Sequence, residues 1–284
     1  MASTEVSISV LILTKNEHQD LPGCLESVRW SNDIHVLDSQ STDGTIELAQ
    51  AAGAKVTIRA FDGYASQRNF GLQLPFANSW ILILDADERI PEALATEIRN
   101  FVNAAKPDVA AARMRRRDIW WGTWLKHAQI SPFYVRLVRQ RRAHYEREVN
   151  EVLVVDGGIQ DLVSSFDHYP FSKGLDHWFS KHNVYSHMEA LVIASGNGMK
   201  PSWKVALVGR DFNERRGHQK AIFYRLPGRP LIKFLYMLLA RRAFLDGVAG
   251  LRYASLQAIY EYMIVLKVKE LEQANDKAQQ GDTA

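Results

Sequence analysis

An α/β fold, a mostly parallel sheet with helices on both faces and a helical region after it, is predicted by three observations. Up to about residue 112 short apolar runs alternate with amphipathic stretches, polar residues gather where those runs end, and beyond residue 172 the pattern stays helical. Strands that alternate with helices are joined by crossovers, and these cover both faces of a parallel sheet.

In chain order, Ser7 to Leu13 is strand-like, Leu21 to Trp30 helical, Ile34 to Leu37 a strand, Thr45 to Ala52 helical and Val56 to Ile58 a strand. A helical stretch from Tyr64 to Leu72 leads to the strand Trp80 to Leu84, and Glu92 to Asn103 is helical. From about 113 to 170 the residues become basic and aromatic, with Arg113-Met-Arg-Arg-Arg117, Trp120-Trp-Gly-Thr-Trp124 and an alternating strand from Phe133 to Val138. Asp156-Gly157-Gly158 reads as a turn between Val152 to Val155 and Ile159 to Val163. This stretch is expected to form a smaller mixed region closing over the sheet edge. Helices are then expected over Leu175 to Ser195, Trp203 to Phe212, Pro230 to Gly247 and Leu251 to Gln273, with a frayed tail from Gly281.

Composition bounds the function classes. With 284 residues and 46% hydrophobic content the chain can bury a full core. A single cysteine, Cys24, excludes an intrachain disulfide framework, and with no signal-peptide pattern before the first strand a cytoplasmic location is expected. Lys233 and Arg241-Arg242 bracket the best apolar stretch, so no spanning helix is predicted. The net charge of +3 is uneven: Lys200 to Arg242 carries eleven Lys or Arg against Asp211 and Glu214. Such a segment suits nucleic acid, an anionic membrane or a phosphorylated acceptor.

The chemistry concentrates at strand ends. The first strand ends in Thr14-Lys-Asn16-Glu17, the second in Asp38-Ser-Gln-Ser-Thr-Asp43-Gly44, and the strand from Trp80 in Asp85-Ala86-Asp87. Open α/β sheets bind ligands at the carboxyl ends of their strands, and one or two carboxylates with substrate phosphates suffice for Mg²⁺ or Mn²⁺. Each residue also has a structural reading: Asn16, Asp20 and Glu88 as helix caps, Ser41 to Gly44 as a turn. The tryptophans divide between a platform for sugar rings and ordinary core.

With Gln67-Arg-Asn69, Arg136-Leu-Val-Arg139 and Asp167-His-Tyr169 added, the ordered set resembles the family 2 inverting glycosyltransferases, in particular the branch with lipopolysaccharide-core β-glucosyltransferases. The resemblance spans about residues 6 to 170 and implies a GT-A fold, a Rossmann-like sheet binding a nucleoside diphosphate sugar, usually UDP-linked, with a divalent metal. Residues 1–170 would be the catalytic domain and 171–284 a basic helical region. By position, Thr14, Asn16 and Glu17 would line the nucleoside pocket and Asp38 would hold uracil or ribose. Arg68 would contact base or diphosphate, Asp85 and Ala86 would sit beside the ribose, and Asp87, with Asp85 and His168, would ligate the metal. Glu151 aligns with the glutamate of a His-Glu pair and is the candidate base, with Glu148 its rival; Asn150 departs from the histidine.

The acceptor expected from this resemblance is a lipid-linked saccharide or a polysaccharide. Trp203, Phe212, Phe223, Tyr224, Phe234 and Tyr236 among the cations suit an interfacial helix on an anionic membrane, and an oligomerisation surface is the competing reading. Nucleotidyl transfer is a second enzyme class, opposed by the lack of a glycine-rich phosphate loop, and nucleic-acid binding by the basic segment is a third reading.

Overall fold

The computed structural model describes residues 8–147, 151–195 and 200–281. The chain divides into two compact units, Met1–Trp124 with Ile130–Ser172, and Leu125–Gln129 with Lys173–Ala284.

The first unit is built on β1 (Ile8–Thr14), α1 (Leu21–Ser27), β2 (Ile34–Asp38), α2 (Thr45–Ala51), β3 (Lys55–Ile58), α3 (Tyr64–Gly71), β4 (Trp80–Asp85), β5 (Glu88–Arg89) and α4 (Glu92–Ala104). It continues with β6 (Val109–Trp120), β7 (Thr123–Trp124), β8 (Phe133–Arg139), β9 (Ala143–Glu146), β10 (Val152–Val155) and β11 (Gly158–His168). The main sheet runs β3-β2-β1-β4-β8-β6-β11-β5, with β7 folded back on β6. β1 to β4 pair in parallel, and β8 lies antiparallel between β4 and β6. β6 and β11 therefore point the same way as the first four strands.

Both faces of β1 and β4 are covered, which is why Val10 to Leu13 and Trp80 to Leu84 read as apolar runs. Ile8, Val10, Ile12, Leu82 and Leu84 face one core with Leu21 and Cys24 of α1 and Leu94 and Ile98 of α4. Leu11, Ile81 and Ile83 face the other with Ala65 of α3. Gly71 lets α3 close on the sheet: a Cβ there would lie 2.8 Å from Leu11 Cδ2 and 3.2 Å from Leu37 Cδ2.

Three expectations are corrected. The stretch from 113 to 170 is no separate region over the edge, because β6, β8 and β11 are strands of the main sheet. The turn at Asp156–Gly158 joins no hairpin: β10 pairs with β9 in a two-stranded sheet, and β11 pairs with β6. Glu88 caps no helix; it is buried in β5, and Pro91 holds the N-cap position of α4.

The second unit is helical, with α5 (Gly174–Ala194), α6 (Trp203–Val208), α7 (Phe212–Phe223), α8 (Arg229–Leu235), a π-helical turn Tyr236–Ala240, a 3₁₀ turn Ala243–Asp246 and α9 (Gly247–Gly281). The single helix expected over Trp203 to Phe212 stops at Val208, and α7 restarts under Asp211, whose carboxylate accepts the Glu214 N–H at 2.7 Å. The one expected over Pro230 to Gly247 is broken by Arg242, which stands at φ 59°. Within this unit the Asp246 carboxylate accepts the His127 N–H, the Ala128 N–H and His127 Nδ1 at 2.6 to 2.9 Å, and Arg241 donates to the His127 carbonyl. Residues 282–284 of the expected tail lie outside the described residues. No described helix is long and apolar enough to cross a membrane.

Candidate active site

The parallel register sets Thr14 beside Asp38 at the carboxyl edge. Asp38 is fully buried, and its oxygens accept from Thr14 Oγ1 (2.7 Å), Ser41 Oγ (2.6 Å) and the Ser41 N–H (2.6 Å). Asn16, at φ 53°, accepts the Thr42 N–H at 2.9 Å, and the Glu17 N–H donates to Thr45 Oγ1. These bonds tie the loop after β1 to the loop after β2, so the turn reading of Ser41 to Gly44 and the site reading describe one object. Asp20 does stand at the start of α1, but its carboxylate accepts Ser172 Oγ rather than a helix N–H. Ala86 has its side chain in the core.

At the end of β4, Asp85 is held by two guanidinium groups. Arg68 Nη2 donates to Oδ1 and Arg136 Nη2 to Oδ2, each at 3.0 Å, and both carboxylate oxygens are thereby engaged. Burial alone would raise the Asp85 pKa, but Arg68 and Arg136 hold the carboxyl well below the usual range. Arg136 also donates to Glu88 at 2.5 Å, and Glu88 accepts the Asp85 N–H at 3.1 Å. Burial pushes Glu88 up to about 7 against the pull of Arg136. Arg68 Nε lies 3.4 Å from Glu151 Oε1, while its Nη1 is buried without a hydrogen-bond partner. Glu148 and Asn150 lie outside the described residues.

Asp87 and His168 meet at the same edge because β5 pairs antiparallel with the end of β11. His168 Nε2 is 3.2 Å from Asp87 Oδ2, and its Nδ1 is 2.5 Å from Asp118 Oδ1. Burial would lower the His168 pKa, but hydrogen bonds with Asp118 and Asp87 outweigh it and push it up to about 9. No group of three or more His, Cys, Asp or Glu side chains converges as a metal cage among the described residues. The donor set nevertheless fits a divalent ion that is also carried by phosphate oxygens. A carboxylate behind a histidine is the usual support for an imidazole ligand, and it leaves Nε2 facing the Asp87 oxygen.

Three residues of this edge had no assigned role in the sequence. Asp118 lies fifty residues before His168, and only the β6–β11 pairing brings them together. Arg136 stood in a quoted motif without a function, and Glu88 was read as a cap. The motif Gln67-Arg-Asn69 now explains itself, since each side chain binds a different segment. Gln67 donates to Ser39 Oγ and Arg68 to Asp85, while Asn69 exchanges two bonds with the Tyr145 backbone at 2.7 and 2.8 Å. The tryptophans divide: Trp120 is buried and stacked 4.3 Å from Phe171, whereas Trp121 is 62% exposed at the tip of the β6–β7 hairpin. Trp121 and Gly122 both have positive φ, as a two-residue hairpin turn with the right twist requires.

The sheet, with polar residues gathered at the carboxyl ends of its parallel strands, defines the class as a Rossmann-like α/β protein. The chain belongs to glycosyl transferase family 2, whose model matches residues 9–152. It is 27% identical over 271 residues to an uncharacterized glycosyltransferase of Rickettsia conorii, covering 93% of this chain and 90% of that one. It is also 27% identical over 274 residues to the lipopolysaccharide core biosynthesis glycosyltransferase LpsC of Rhizobium meliloti, covering 93% and 92%. Among solved structures, TarS 1-349 of S. aureus matches 87% of this chain and 90% of its own at 12% identity and a TM-score of 0.43.

Proposed function

We propose that the protein transfers a hexose, with inversion, from a UDP-linked sugar to a lipid-linked or polysaccharide acceptor in lipopolysaccharide core synthesis, using Mg²⁺ or Mn²⁺ at the inner face of the cytoplasmic membrane. Residues 1–170 bind the donor and carry the catalysis; 171–284 form a basic helical region that associates with membrane or with another subunit. The observation that carries the reading is the meeting at one sheet edge of the Asp87–His168 pair, backed by Asp118, with Arg68, whose buried Nη1 lacks a hydrogen-bond partner. The relationship to LpsC supports the acceptor class.

The division of labour follows from the contacts. Thr14, Asn16, Glu17 and Asp38 shape the nucleoside end, Asp38 from beneath, where its buried carboxylate braces Thr14 and Ser41. Arg68 offers its unsatisfied nitrogen to the diphosphate, where a guanidinium suits phosphate oxygens. Asp87 and the His168 Nε2 would hold the metal, which supplies Lewis-acid stabilisation of the departing diphosphate. Asp85 keeps Arg68 and Arg136 aimed at that edge, and Ala86, whose side chain is in the core, has only its backbone to offer the ribose. Glu151 takes the proton of the acceptor hydroxyl as that oxygen attacks the anomeric carbon. Its neighbour Arg68 links the base to the leaving-group side through a single side chain. In the helical unit, exposed Trp203, Leu207, Leu231, Leu239 and Val248 among Lys204, Arg225 and Arg242 suit a headgroup layer.

A thermal-shift screen of UDP- and GDP-sugars with and without Mn²⁺, followed by assay of UDP release, tests the reading. A UDP-hexose at a hundred times its dissociation constant stabilises by about 2.7 kcal/mol. Mn²⁺-dependent stabilisation by a UDP-hexose is expected, and no response to any nucleotide sugar overturns the donor assignment.

A further inference from the structure

Within the helical unit lies a cleft of about 530 Å³. Three helices present one face each to it. Arg216, Lys220 and Phe223 come from α7, Ile232, Lys233 and Tyr236 from α8 and the π turn, and Tyr260, Glu261 and Ile264 from α9. Arg216, Lys220 and Phe223 are spaced four and three residues apart, and each of the other sets is an adjacent pair followed by a residue one turn on, so that each set lies along one side of its helix.

The charges in the cleft do not balance. Glu189 of α5 accepts from Lys220 Nζ and Tyr224 Oη, both at 2.7 Å, and Glu261 lies 3.3 Å from Arg229 Nε. Both carboxylates of the cleft are thus already matched by a cation. Arg216 and Lys233 have no carboxylate of their own among the described residues. Burial works against the Lys233 charge, and the nearby cations Arg241 and Arg216 add to that, with Glu261 opposing. Glu261 is only 6% exposed, and its Oε1, the oxygen that faces Arg229 Nε at 3.3 Å, is paired by charge but accepts no hydrogen bond.

We propose that this cleft binds a phosphate ester of a hydroxyl-bearing group, its phosphate held by Arg216 and Lys233 and one of its hydroxyls donating to Glu261 Oε1. The faces of Tyr236, Tyr260 and Phe223 give the C–H surface of a sugar or polyol something to pack on. A bare phosphate satisfies the two cations and leaves Glu261 Oε1 with its ion pair to Arg229 but no hydrogen bond; an uncharged sugar supplies that bond and leaves the cations unmatched. The chemistry is shared by a soluble sugar phosphate and by the phosphorylated headgroup of a lipid. The inference stands on this unit alone and does not depend on the donor assignment.

The test is calorimetric titration of the full chain with inorganic phosphate and with glucose 6-phosphate, beside sedimentation with phosphatidylglycerol and phosphatidylcholine vesicles. The variants are Arg216→Ala with Lys233→Met, which removes the cations and keeps the buried stem, and Glu261→Gln. Glucose 6-phosphate should bind at least tenfold more tightly than phosphate, and the double variant should lose at least tenfold. If only phosphatidylglycerol vesicles bind, and the double variant abolishes this, the proposal holds with a lipid headgroup as the source. Binding to neither probe, or binding undiminished in the double variant, overturns it. UDP binding, read in parallel, should not change in either variant, so failure here is separable from failure of the donor reading. Should Glu261→Gln disturb the helices, as its melting curve would show, the double variant still decides.

Discussion

In the sheet unit Val10, Ile12, Leu82 and Leu84 have no exposed surface at all, whereas in the helical unit Leu207, Leu231, Leu239 and Val248 are exposed to between 62% and 73%. The sheet unit buries β1 and β4 on both faces and gathers the candidate site residues at the carboxyl edge, where Asp38, Asp85, Glu88 and His168 are each bonded to neighbours. The helical unit has a small central cluster, Ala190, Ile264 and Val268, and wears much of its apolar surface outside. From Arg215 to Tyr260 its only acid, Asp246, is buried against His127. The exposed apolar residues and cations of the second unit are what the proposed membrane or subunit contact draws on.

The comparison can be broken or sharpened by experiment. Glu151→Gln should lower turnover by roughly 10²–10⁴-fold with UDP affinity nearly intact, because only proton transfer is lost; full turnover would remove Glu151 from the role. Next, Leu82→Ala should destabilise by about 2–5 kcal/mol while Leu239→Ala stays within about 0.5 kcal/mol. Equal shifts in denaturant midpoint would erase the contrast between the units. Neutralising Lys204, Arg225 and Arg242 together should weaken flotation with anionic liposomes by about 10²-fold, at about 1 kcal/mol per charge. No liposome binding at low salt by the unaltered chain would end the membrane reading. Asp118→Asn should cost about 10–100-fold in Mn²⁺-dependent UDP binding by loosening the His168 ring, and a titration unchanged from the parent would separate Asp118 from that ligand.

The smallest effect concerns acid stability. Burial would raise the Asp33 pKa, but bonds from Lys55, Ser9 and the Ala77 N–H outweigh it and hold the carboxyl well below its usual value. A carboxyl lowered on folding contributes stability that is present above its unfolded value, about 3.9, and lost as pH falls below it. Asp33→Asn should therefore flatten the acid limb of the stability curve between about pH 5 and 2. Parallel limbs for the two proteins would count against it.

What could be read from the chain depended on how local the cause was. β1 and β4 announce themselves because strands covered on both faces carry apolar runs, Val10 to Leu13 and Trp80 to Leu84. β6 hid in plain view: its arginines read as a different region. In the structure Arg113 and Arg117 pair with Asp161 and Asp167 of β11, and Arg115 lies over the Phe133 ring. Partner choice across a sheet is set by residues tens of positions away, so neither the β6–β11 pairing nor the Asp118–His168 contact was legible. Asp87 and His168 were recoverable as candidates from their motifs. The arginine clamp on Asp85 was not, since nothing in the spacing of Arg68 and Arg136 says that both reach one carboxylate.

Gly71 touches no polar group of the site, yet it sets the height of α3 above the strands. Gln67, Arg68 and Asn69 are fastened to three different segments, so the helix works as a bracket with three bolts. A methyl group at position 71 would act as a shim beneath it, against Leu11 and Leu37, and slacken all three fastenings at once. Exchanging residues of the sheet edge would therefore leave the height of α3 unchanged, because that height is set where Gly71 packs on Leu11 and Leu37.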